Sequence, residues 1–224
     1  MIKTKSNSLK FIINKISKTL VPKFFSFSKK EYLMNKRRIL KKIYNYFSGN
    51  IILRSSAMDE DNEYLSNAGK YNSVLIKRND FSKLNKNIEF IISKFQNKYD
   101  EVIVQKLIEM PDISGVVFTK DKNTNSHYYE INFDKSKRTD LITSGKFNPT
   151  IKSLIIFKGA KKIPKKFQKL IDILKILEFR FKNDRLDVEF CIKKNKLFIL
   201  QCRPLLGKKQ KKVDINKIKE IIIN

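Results

Sequence analysis

The hydrophobic positions follow a helical rhythm at the start of the chain and an alternating one later. Leu9, Phe11, Ile12, Ile13 and Ile16 sit on a helical period, which predicts an amphipathic helix over residues 6–19 that stops before Pro22. An extended piece, 21–27, follows. Ser28 has the chemistry of a helix cap, and Leu33, Ile39, Leu40, Ile43 and Phe47 line one side of a helix over 29–47. Ser48-Gly49-Asn50 is a stop signal. Ile51-Ile52-Leu53 then reads as a short buried strand that runs directly into Arg54-Ser55-Ser56. Residues 58–71 are polar and predict a loop, 71–76 a strand, and 81–95 a helix built on Leu84, Ile88, Ile91, Ile92 and Phe95.

In the second half, 102–108 and 115–119 are strongly β-forming, and the turn around Pro111 and Asp112 predicts that they pair as a hairpin. Strands are expected over 127–134, 141–143 and 153–158. Pro164 opens a helix whose stripe is Phe167, Leu170, Ile171, Leu174, Leu177 and Phe181, the pattern of a helix laid on a sheet. A second hairpin pairs 186–192 with 196–202 across Lys193-Lys194-Asn195 and ends at Pro204. There is no internal repeat. Helices first, then strands mixed with helices, predict an α+β fold in two lobes, 1–100 and 101–206, followed by a basic tail, 207–224, with a short helix.

Composition changes this picture little. With 41% hydrophobic residues, 17 of them Phe, the 224-residue chain can bury a core and is no disordered tail. The formal charge of +27 favours anionic partners, with nonspecific nucleic-acid binding expected at low salt. Lysine nevertheless occurs in nearly every segment, which is a general bias more than a tuned patch. The Lys-rich start, 1–20, lacks the long apolar core of a targeting segment, and no run reaches the roughly 18 apolar residues of a membrane span. Cys191 and Cys202 fit no metal spacing and fall in strands expected to be buried, which suits a reducing, cytoplasmic compartment.

The candidate chemistry concentrates in the last hairpin. Asp187 and Glu189 are two apart and share one face of their strand; Gln201 and Arg203 share one face of the partner strand. Two carboxylates, an amide and a guanidinium on one spot are costly to bury unless something binds them. The acids and the amide oxygen supply hard ligands for Mg2+, and the planar fork of Arg203 suits a polyphosphate. An ion pair tying the hairpin together fits the same spacing equally well. Arg54, at the end of an apolar strand, is a second phosphate-type cation, and Ser66-Asn67-Ala68-Gly69 is a loop whose backbone N–H groups could approach phosphate.

Three blocks in order then resemble the nucleotide domain of the pyruvate phosphate dikinase and phosphoenolpyruvate synthase family. The first is Ile52-Leu53-Arg54-Ser55-Ser56-Ala57, with Glu60-Asp61 and Ser66-Asn67-Ala68-Gly69. The second is Val104-Gln105-Lys106-Leu107 followed by Ser114-Gly115-Val116-Val117-Phe118-Thr119. The third is Leu186-Asp187-Val188-Glu189-Phe190 with Leu200-Gln201-Cys202-Arg203-Pro204. Lys5-Ser6-Asn7-Ser8-Leu9 and Val21-Pro22 echo the family's opening segments.

The resemblance implies an ATP-grasp-like domain with Mg-ATP between two lobes. It assigns phosphate contacts to Arg54 and Arg203, metal contacts to Glu189 and Gln201 with Asp187 close by, and the adenine to Gln105 and Leu107. Gly69 and Thr119 are expected at the triphosphate, with Lys5 as a phosphate lysine. It further implies transfer to a histidine with release of AMP. The chain departs from the family in having Lys3 and Thr4 where the family has glycines, and Arg78 does not match the family's arginine-bearing helix end. Its one histidine, His127, lacks the carrier's threonine/serine–histidine–alanine setting and reads as a surface or strand-edge residue. The phosphohistidine carrier is therefore expected on a separate domain or protein. A nucleotide-binding protein without catalysis is the alternative, and a basic nucleic-acid-binding protein ranks behind it.

Overall fold

The computed structural model describes residues 4–57, 73–122, 124–137 and 150–205. The predicted loop at 58–71 with Gly69, the strand at 141–143 and the tail at 207–224 lie outside them. The helices are α1 (Lys5–Lys15), α2 (Lys29–Tyr46), α3 (Leu84–Ser93) and α4 (Lys165–Phe181). The strands are β1 (Phe24–Ser28), β2 (Ile51–Ser56), β3 (Val74–Ile76), β4 (Glu101–Lys106), β5 (Ile113–Phe118), β6 (Tyr128–Asp134), β7 (Lys152–Phe157), β8 (Leu186–Lys193) and β9 (Lys196–Pro204). They form two antiparallel sheets, ordered β1-β4-β2-β3 and β7-β6-β5-β8-β9. Among the described residues no helix is long and apolar enough to cross a membrane.

Local chemistry accounts for the helix ends. Thr4 caps α1 by accepting from the Asn7 N–H. Ser28 and Glu31 form a reciprocal capping box at α2, satisfying backbone donors that no helical carbonyl reaches. α1 ends at Lys15, earlier than its apolar period suggests, because Ile16 leaves helical geometry and Ser17 caps a separate 3₁₀ turn, Lys18–Leu20. The helix expected over 81–95 likewise begins as a 3₁₀ turn, Arg78–Lys83.

Two cores follow the sheets. α2 and α3 cover the first, burying Tyr32, Ile39, Ile43 and Ile88 on Ile51, Leu53, Val102 and Val104. α4 covers the second, burying Phe167, Leu170, Leu174 and Leu177 on Val117, Tyr129, Ile131 and Val188.

One expectation is corrected here. The segments 102–108 and 115–119 do not pair as a hairpin: β4 lies between β1 and β2, whereas β5 lies between β6 and β8. The turn between them is a crossing from one sheet to the other. The expected boundary between the lobes, at residue 100, falls just before β4. β4 completes the first sheet, and Leu9 and Ile12 of α1 pack in the second core. The physical reason is visible in β4, where Val102 and Val104 face the first core while Ile103 joins the second. A strand buried on both faces can lie between lobes, and its apolar run alone does not say so.

Candidate functional site

Alternation along β2 sends Leu53 into the first core and Arg54 out of the opposite face. Arg54 is opposite Ile103 and Ile52 is opposite Gln105, so Arg54, Ile103 and Gln105 share the face that meets the second sheet. α1 docks at the same edge, where the Ser6 N–H donates to Ser56 Oγ at 3.0 Å and Ser6 Oγ donates to Ser26 Oγ at 3.0 Å. Those bonds place the first turn of α1, and with it the backbone of Lys5, beside the end of β2.

The facing surface is the β8–β9 hairpin. Lys194 and Asn195 both have positive φ (48° and 58°), as a tight two-residue turn between twisted strands requires. Asp187 is opposite Arg203 and Glu189 is opposite Gln201, the coincidence of faces that their spacing allowed. A register shift follows at Glu189/Phe190, because Phe190 pairs with Ile199 and leaves Leu200 as the extra residue. The Leu200 carbonyl accepts a long 3.5 Å hydrogen bond from Gln105 Nε2, across the gap between the sheets.

The two surfaces meet at Arg54. Its Nη1 donates to Glu189 Oε2 at 2.9 Å and to Gln201 Oε1 at 3.3 Å. Both charged side chains are largely withdrawn from water, at 12% and 16% exposure, so the pair spans the cleft in a poorly screened setting. Arg54 Nε is buried and has no hydrogen-bond partner among the described residues. One pair further along, Arg203 grips Asp187 Oδ2 with Nε and Nη2, each at 3.0 Å. Burial pushes the Asp187 carboxyl above its usual range; Arg203 opposes that shift and Glu189 adds to it.

The structure thus brings together Arg54, Asp187, Glu189, Gln201 and Arg203, with Gln105 at their edge. Leu107, just past β4, is half-buried and its N–H donates to Asn50 O at 3.0 Å. Thr119, expected at the triphosphate, sits at the junction of β5 and β8. It is fully buried; its N–H donates to Leu186 O, its hydroxyl donates to Asp184 O, and the same hydroxyl accepts from the Leu186 N–H. Those bonds lock the end of β5 to the start of β8, leaving the hydroxyl no spare donor.

Sequence reasoning missed Arg185. It is 9% exposed, donates through Nη1 to Asn125 Oδ1 at 2.8 Å, and holds a buried Nη2 without a partner among the described residues. The signal was the alternation Arg185-x-Asp187-x-Glu189, which extends the polar face by one position. Lys122 was missed too: its ammonium lies 3.6 Å from the centre of the Phe118 ring, and Phe118 is opposite Asp187.

These donors fit a magnesium–nucleotide pair. Two carboxylates and an amide oxygen are hard ligands, and the buried Arg54 Nε is an N–H with no partner among the described residues. Among the described residues no group of three or more His, Cys, Asp or Glu is placed to hold a metal. A hollow of about 350 Å³ lies away from this chemistry, lined by Leu40, Lys41 and Tyr44 of α2, Phe81 and Ser82 of the 3₁₀ turn, and Leu84 and Asn85 of α3.

The fold is ATP-grasp-like: an α+β arrangement of two antiparallel sheets with the polar site between them. Solved structures of similar fold are D-alanine–D-alanine ligase from Bacillus anthracis (TM-score 0.52, 12% identity, 99% of this chain and 62% of that one) and the same enzyme complexed with ATP (0.51, 14%, 100% and 62%). The VanG D-Ala:D-Ser ligase from Enterococcus faecalis is another (0.53, 13%, 98% and 57%). The chain thus spans about three-fifths of the length of these ligases. No family model matches the chain, and no curated protein matches it in sequence.

Proposed function

We propose that this chain is a nucleotide-binding phosphotransfer domain that takes Mg-ATP between its two sheets and passes phosphate to an acceptor carried elsewhere. The observation that supports it most is the convergence of Arg54, from one sheet, on Glu189 and Gln201, from the other, with Arg54 Nε left unpaired. In this reading Arg54 and Arg203 hold phosphate oxygens. Asp187, Glu189 and Gln201 hold the magnesium ion, which when bound neutralises charge on the transferring phosphate. Gln105 and Leu107 lie along the adenine, and Lys5 and Gly69 take the phosphate-contact roles that the family resemblance gives them. Catalysis is then mainly positioning and charge neutralisation by pre-placed side chains. The resemblance to the pyruvate phosphate dikinase family makes the acceptor a histidine on a separate domain or protein, with AMP as the nucleotide product.

The decisive experiment incubates the protein with Mg-ATP and candidate histidine-bearing partners and identifies the nucleotide formed. AMP with a phosphorylated partner is the expected result. ADP formed with a small carboxylate or amine acceptor would instead align the chain with chemistry of the kind named for the structurally similar ligases. The ion pairs of Arg54 with Glu189 and Arg203 with Asp187 tie up the cations and acids of the site with one another and favour a second reading, in which the chain binds nucleotide but does not turn it over. Binding without turnover, with every partner supplied, selects that one. If Mg-ATP still stabilises the Glu189→Gln/Arg203→Gln double variant against heat as much as wild type, the cleft is the wrong place.

A further inference from the structure

We infer that Arg54 and a divalent cation compete for one seat between Glu189 and Gln201, and that phosphate draws Arg54 out of it, so that metal enters with or after phosphate and never before it. The inference rests on the nucleotide reading and adds an order of binding to it. Two oxygens from adjacent strands, Glu189 Oε2 and Gln201 Oε1, converge on a single nitrogen, Arg54 Nη1, at 2.9 and 3.3 Å. Convergence of a carboxylate and an amide oxygen on one point is how proteins hold a small hard cation, and here a guanidinium from the other sheet fills that point. A metal ion arriving alone must expel Arg54, or sit beside it as a like charge in a cleft where both partners are mostly shielded from water.

Phosphate changes the balance. Arg54 Nε is buried and unpaired while Nη1 is engaged, so only part of the guanidinium fork is satisfied by the described residues. A polyphosphate offers anionic oxygens that can take Nε and a terminal nitrogen together, the bidentate geometry in which arginine binds phosphate best. Turning Arg54 onto phosphate frees Glu189 and Gln201 at the moment when phosphate oxygens become available as further metal ligands. The neighbouring pair does not work this way, because Arg203 and Asp187 come from adjacent strands of one hairpin and need no closure of the cleft to meet. Arg54 is thus a positioning residue for the metal as well as a phosphate contact.

The test uses Mn2+ as a spectroscopic substitute for Mg2+ and a nonhydrolysable ATP analogue, with binding read by electron paramagnetic resonance of free Mn2+. Wild type is expected to bind Mn2+ alone at least tenfold more weakly than the Arg54→Gln variant does, and to bind it tightly once the analogue is present. Arg54→Lys, which keeps a cation in the seat, is expected to behave like wild type toward Mn2+ alone. Equal Mn2+ affinity in wild type and the glutamine variant overturns the inference, and so does a gain in the lysine variant. Wild type that binds neither analogue nor metal with analogue defeats the nucleotide reading itself, a separate outcome. Should the glutamine variant lose its native circular dichroism, guanidinium 15N resonances of wild type decide. An Arg54 signal that shifts on adding metal-free analogue supports the exchange, and one that stays unmoved overturns it.

Discussion

Gly115 is the point at which the fold and the site depend most visibly on a single missing atom. A Cβ built there would stand 2.7 Å from the Asn132 carbonyl oxygen and 2.7 Å from both Cε1 and Cζ of Phe190. Ordinary contact needs about 3.5 Å or more, so something must give by nearly an ångström. Phe190 is fully buried in the second core, and the Asn132 carbonyl belongs to β6, which is laddered to β5 and β7. Neither can retreat into open space. Gly115→Ala is therefore an overpacking substitution with a typical cost of about 1–3 kcal/mol. Lower entropy of the unfolded chain returns about 0.4–1 kcal/mol. The net expectation is a loss of about 1–2 kcal/mol, which lowers the melting temperature by roughly 2–8 °C in a chain of this size.

The assay is urea and thermal unfolding of wild type, Gly115→Ala, Phe190→Leu and the double variant. Since the clash is with the Phe190 ring, the two substitutions should be non-additive, the leucine relieving part of the alanine's cost. Strict additivity, or an alanine variant as stable as wild type, would refute the reasoning. Because Val116 is opposite Glu189 and Phe118 is opposite Asp187, a shift of β5 should also weaken Mg-ATP binding.

Two further outcomes follow from protonation and burial. His127 is the only histidine of the chain, and burial together with Lys120 and Lys158 holds its imidazole below the ordinary value. The folded state therefore favours neutral imidazole, so this stabilisation is complete above about pH 6.5 and is lost as pH falls through the lower folded pKa. The single imidazole proton resonance should titrate below 6.5 in the folded protein, and His127→Gln should flatten stability across that window; titration at or above 6.5 contradicts the argument. Burial pushes the Cys191 thiol up to about 12 and the Cys202 thiol higher still, the latter with help from Asp187. Neither should react with a thiol reagent in the native protein at pH 8, and both should react in denaturant. Rapid native labelling would mean the hairpin opens.

Much of the molecule is written in local patterns. The period of Leu170, Ile171, Leu174 and Leu177 marks α4, and Ser28 with Glu31 marks the start of α2, because helix faces and caps are decided within a few residues. The pairing of Asp187 with Arg203 and Glu189 with Gln201 was legible for the same reason, since a short turn joins the two strands and alternation sets their faces. Long-range partnership was not. Nothing in Val102-Ile103-Val104 says that β4 sits between β1 and β2 and not beside β5, and nothing in Leu9 and Ile12 says which of two cores will bury them. Alternation decides on which side of a strand a group emerges. Which sheet it then confronts is decided only when the whole chain closes, and that closure places Arg54 against the hairpin and spends the hydroxyl of Thr119 on the backbone.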